Sequence, residues 1–205
     1  MMALMGATSQ RARALPRRRA GVARLAGALL CAALLTGCPA DSDAPEEGPP
    51  SAALEIELAT GGRSLSRTDR DELQRQVGDV LSSYVVDAFL GDYPRDDFVD
   101  SLDSFTSGAA ARAAQDLEML TARRYRDADG VVAERLRAQV SVFAAGERPA
   151  GATAWVRFRF VVREGGERST EFAMTGRLSL VPDGDDWRIF GYDVSRDDSG
   201  VGATS

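Results

Sequence analysis

The chain has 205 residues, 2 cysteines, no histidine and a formal net charge of −6; all 25 basic residues are arginines. Without histidine or lysine, imidazole general bases, Ser-His-Asp triads, histidine metal sites and lysine Schiff bases are excluded. Carboxylates, tyrosines, serines and arginines remain for any chemistry.

The chain opens with a basic block, Arg11, Arg13, Arg17, Arg18, Arg19 and Arg24, followed by an apolar run over residues 25–35. A run of about eleven residues is too short to span a bilayer, which takes roughly twenty, and its order behind a basic start is that of an export signal. Leu35, Thr36 and Gly37 then precede Cys38 in a large-apolar, small, small order that resembles the bacterial lipobox. The resemblance implies a lipoprotein signal peptide over residues 1–37, cleavage before Cys38, a thioether lipid on its sulfur and acylation, as with palmitate, of the freed amine. Each buried methylene contributes about 0.8 kcal/mol, so two or more chains hold durably where one does not. The mature protein is therefore expected outside the cytoplasm, held to the cell membrane by its lipid.

Cys31 lies in the discarded segment and Cys38 is the acyl acceptor, so no mature disulfide is expected. With six arginines removed in the signal, 19 face 31 acidic residues and the mature net charge is −12. So acidic a chain has no basic stripe for nucleic acid, and anionic headgroups repel it unless it is tethered.

Residues 38–52 are rich in Pro, Asp, Glu, Ser and Ala and read as a flexible linker behind the lipidated cysteine. A single domain follows over residues 53–197, and residues 198–205 read as a disordered tail. Leu54, Ile56 and Leu58 alternate with polar neighbours as in a short half-buried strand. Ser66 or Thr68 is placed to cap a helix whose apolar stripe runs through Leu73, Val77, Val80, Leu81, Tyr84, Val85, Ala88 and Phe89. Gly91 ends it and Pro94 prevents its resumption. A short helix through Phe98 and Leu102 is expected next, then an alanine-rich one begun by Thr106 or Ser107 and continued through Leu117 and Leu120.

The remainder alternates with period two: Leu136 to Val142, Val156 to Val162, Phe172 to Leu180, and a last strand after the "PDGDD" turn. This predicts an α+β fold, with N-terminal helices packed on one face of a curved, mainly antiparallel four-stranded sheet. The order of elements, the "DGDDWRIFGYDV" ending and the "FTSGAAARAAQDLEMLT" middle are similar to the cone-shaped NTF2-like fold, and more narrowly to actinobacterial envelope proteins related to Mce-associated proteins. Enzymes of that superfamily place an Asp or His base in a pocket between helices and sheet, and this chain lacks histidine. Mce-associated proteins carry a transmembrane helix where this chain has a lipobox.

Tyr84, Asp87 and Tyr93 are the polar groups that could face such a pocket, although Tyr84 also fits a core position and Asp87 a solvated one. The "DADG" and "DGDD" stretches lack the spacing of calcium loops and read as turns, so no metal and no cofactor is expected. If Phe158 and Phe160 face the helices, the opposite sheet face presents Trp155, Arg157 and Arg159, with Phe143 and Arg177 on neighbouring strands. Tryptophan and arginine concentrate binding energy at interfaces, while arginines on an exposed sheet face are also often simply solvated. Two classes follow. One is a non-catalytic, lipid-anchored envelope module that binds a protein partner or a second copy through that face or supports an envelope complex. The other is a carboxylate-dependent enzyme or small-ligand binder with an NTF2-like pocket.

Overall fold

The computed structural model describes residues 51–166 and 168–200. The signal, Cys38 and most of the expected linker lie outside the described residues. A first strand, β1 (Leu54–Gly61), leads into α1 (Arg67–Phe89), a 3-10 helix over Phe98–Ser104, and the short helices α2 (Ser107–Ala113) and α3 (Leu117–Leu120). After a 3-10 turn at Arg123–Tyr125 come four long strands, β2 (Gly130–Ala145), β3 (Arg148–Arg163), β4 (Ser169–Asp183) and β5 (Asp186–Gly200).

The sheet is one open, mixed layer of five strands in sequence order. Strands β2 to β5 form the expected antiparallel meander. The expectation of four strands is corrected by β1, which joins the edge and runs parallel to β2 with Leu54 opposite Leu136 and Leu58 opposite Val140. A parallel neighbour needs a crossover, and α1 with the following short helices supplies it. The helices thus follow a strand instead of opening the domain. Gly61 closes β1 at φ 87°, where a Cβ would lie 1.9 Å from the carbonyl oxygen of Val142, so only glycine lets the two backbones meet.

Ser66 caps α1, its hydroxyl accepting from the Asp69 amide at 3.1 Å. The stripe read from the sequence is the buried face: Leu73, Val77, Leu81, Tyr84, Val85, Ala88 and Phe89 are buried and Val80 is half-buried. The expected single alanine-rich helix is broken in two. Gln115 and Asp116 donate their amides to Arg112 and Ala113, three residues back, which tightens the last turn of α2, and a second short helix starts after Asp116.

Phe89 packs between helix and sheet, its ring 4.4 Å from Phe160, which in turn stacks 4.9 Å from Phe172. Tyr125 continues the stack at 5.2 Å, and the Arg196 guanidinium lies 4.2 Å over Phe172. This column of rings fills the space between α1 and the sheet, each fully buried aromatic side chain contributing about 1.5–3 kcal/mol.

Contacts with the sheet extend across both expected domain limits. Ahead of β1, within the expected linker, the Ala52 amide donates to the Ala133 carbonyl at 2.8 Å. At the other end β5 continues to Gly200, past the expected limit at 197, because Glu171 of β4 still pairs with it and Asp198 accepts from Arg196 at 2.7 Å. No helix among the described residues is long and apolar enough to cross a membrane.

Candidate interaction face

The three polar groups expected around a pocket are each engaged locally. Tyr84 is wholly buried, and its hydroxyl donates to the Leu120 carbonyl at 2.5 Å. Burial pushes its pKa far up, so it is a permanent donor and no base. Tyr93 donates to the Phe89 carbonyl at 2.8 Å, and burial likewise raises its pKa well above the usual phenol range. Asp87 accepts from Ser83 at 3.2 Å on the outer side of α1. These groups brace the helix and do not converge on a common space.

The opposite face of the sheet is different. Along β3, Ala154, Val156, Phe158 and Phe160 are buried while Trp155, Arg157 and Arg159 are exposed, as the alternation requires. Strand register carries that face across the whole sheet in two adjacent rows. One runs Glu55, Arg137, Arg157, Thr175, Ser195; the next runs Glu57, Gln139, Trp155, Arg177, Asp193. Between them lies an open trough of about 600 Å³, lined by Trp155 and Arg157 with Arg137, Gln139, Glu55 and Glu57.

Pairing separates the arginines of this face. Arg137 donates to Glu55 at 2.8 Å, Arg177 is ion-paired with Asp193, and Arg159 lies 3.8 Å from Glu134. Arg157 has no side-chain ion pair or hydrogen bond among the described residues, and Trp155 beside it is 46% exposed. Next to both, the backbone of Gly176 forms part of the trough floor. It holds φ 142°, and a Cβ there would sit 2.2 Å from the Asp193 carbonyl oxygen. A second recess is bordered by Trp155, Thr175, Arg177 and Asp193, so the indole lines two hollows of this face.

Of the residues expected on this face, Trp155, Arg157 and Arg177 are brought together. Phe143 shares the face and is 68% exposed, but it lies four residues along β2 from Gln139, opposite Gly151 at the hairpin end. Arg159 sits one row away, outside the trough. Arg137, Gln139 and Thr175 were not read from the sequence as part of the face, nor were Glu55 and Glu57. Their alternation was visible; the register that sets them beside Trp155 was not.

Comparison with family models, curated proteins and solved structures finds no match. The functional reading therefore rests on this chain's own residues.

At one end of the sheet a second cluster fixes the helices to β5. Arg196, its side chain only 8% exposed, donates to the carbonyls of Glu118 and Thr121 at the end of α3 and through Nε to Asp198. Tyr125 donates to the same carboxylate at 3.2 Å. Burial would raise the Asp198 pKa; the hydrogen bond and charge of Arg196, with Tyr125 and Arg124, outweigh it and hold the carboxyl below its ordinary value. Four residues earlier on β5, Tyr192 donates to Asp116 at 2.7 Å, burial and that carboxylate pushing its phenol up to about 12.

Proposed function

We propose that this chain is a lipid-anchored, non-catalytic module of the cell envelope, NTF2-like in fold, that engages a protein partner through the outer face of its sheet. The observation that carries the reading is the contrast between the two faces of β3. The inner face is filled by a continuous aromatic stack, and the outer face holds an exposed tryptophan beside an arginine without a partner. A large exposed aromatic with a neighbouring arginine is the composition of an interface centre, and the ion pairs around it form a polar rim.

The anchor is tested separately from the face. Cys38→Ser removes the acyl acceptor, so metabolic labelling with a lipid precursor should disappear and the precursor should persist uncut. Label retained on the Cys38→Ser chain would refute the anchor. For the face, Trp155→Ala should weaken capture of the partner by about 2 kcal/mol or more, roughly thirtyfold, while leaving thermal unfolding nearly unchanged. Phe160→Ala, five residues along β3 and facing inward, should lower the unfolding temperature instead. Capture by Trp155→Ala equal to wild type would reduce the face to ordinary solvated sheet.

A further inference from the structure

The strongest unexplained charge lies away from the trough. Arg63, Arg67 and Arg70 line one concavity of about 660 Å³ between the end of β1 and the opening turn of α1, against the single carboxylate of Asp71. All three are exposed, and none makes a side-chain ion pair or hydrogen bond among the described residues. Nine of the 19 described arginines meet carboxylates, Arg75, Arg137 and Arg177 among them, and three of the remainder gather in this one concavity. Arg67 and Arg70 also stand in the first turn of a helix, where the positive end of its dipole disfavours cations. These three guanidinium groups make no ion pair that would stabilise the fold at this place.

We infer that Arg63, Arg67 and Arg70 form a contact patch for the anionic phospholipid surface to which the chain is tethered. The inference rests on the lipid anchor at Cys38 proposed above. Three neighbouring arginines attract such a surface at close range, while the acidic remainder of the domain is repelled and turned away from it. One end of the sheet then meets the bilayer, and the protein has a defined orientation on the membrane instead of trailing on its tether.

The reach is sufficient. Residues 39–50, 12 in number, have a contour of at most about 43 Å, whereas the 8 residues of β1 between the tether's entry and the patch extend only about 26 Å.

The lipidated chain carrying Thr68→Cys, labelled at that thiol with an environment-sensitive dye, tests this in vesicles of phosphatidylcholine alone and of phosphatidylcholine with phosphatidylglycerol. The dye should be shielded from an aqueous quencher only in the anionic vesicles, and added salt should release it. Arg63→Gln, Arg67→Gln and Arg70→Gln together should shift the bound-to-free ratio by about a hundredfold, about fivefold for each arginine. Equal shielding in both compositions, a triple variant as shielded as its parent, or release by inorganic phosphate at matched ionic strength would each overturn the patch. A second labelled thiol at Cys38 marks failure of the anchor instead. That chain, cut to its mature start and held instead by an N-terminal hexahistidine tag on nickel-chelating lipid, still tests the patch: shielding in the anionic vesicles alone supports it, and shielding in neither or in both alike overturns it.

Discussion

Replacing Phe89 or Phe158 by alanine should each lower the unfolding free energy of the full chain by roughly 3–5 kcal/mol, read by denaturant titration. Both rings are wholly buried. Phe89 is the helix's contribution to the aromatic column, 4.4 Å from Phe160 and edge-on to Tyr84 at 5.9 Å. Truncation leaves a cavity walled by long strands and a long helix, neither of which can collapse into it. A loss below about 1 kcal/mol at either position would mean that the space between α1 and the sheet is not filled as described.

Arg196→Met should be the second large effect. It removes the donor shared by the Glu118 and Thr121 carbonyls and leaves Asp198 without its main partner at the sheet's end. Removing one member of a buried pair costs about 3–5 kcal/mol, and the partial exposure of Asp198 places this case near the lower figure. The same cluster sets an acid limit. The folded pKa of Asp198 is depressed, so its contribution is fully present above the unfolded value near 4 and is lost as pH falls through the folded one. Wild type should lose stability progressively below about pH 4 by this route, and Arg196→Met should show a shallower decline there. Parallel acid titrations of the two would contradict the assignment.

The buried faces were legible because they rest on local periodicity. Leu73 to Phe89 drew the core side of α1, and Val156 to Val162 drew the core side of β3, since burial in each case follows the repeat of the element itself. What was not legible depends on distant residues. Leu54, Ile56 and Leu58 announced a half-buried strand, but nothing in them says that the partner is Leu136 to Val140, or that the pairing is parallel. The alanines of residues 109–114 favour helix, and the break after Ala113 comes from the tight amide bonds of Gln115 and Asp116 that let α3 turn toward β5. Asp198 was read as the start of a tail, although Arg196 gives its carboxylate a partner.

The candidate site divides in the same way. Trp155, Arg157 and Arg177 were readable as one face because alternation alone puts two of them on the same side of β3. Their lack of equivalence was not readable: Asp193 neutralises Arg177, Glu134 lies beside Arg159, and Arg157 keeps a guanidinium without a partner among the described residues. Tyr84 showed the converse error of a purely polar reading. Its hydroxyl ties α1 to the end of α3 through Leu120, a structural bond that no local pattern reveals.

The outer face as a binding surface is tested most directly by a photo-crosslinking side chain placed at Gln139, which is exposed in the trough opposite Trp155, in the host's own membranes. A control at Val99, 56% exposed on the 3-10 helix before α2, reports contacts that do not depend on the face. The account predicts one discrete adduct from position 139, lost when Trp155→Ala is added and absent from position 99. An adduct that survives Trp155→Ala, or the same adducts from both positions, would contradict it.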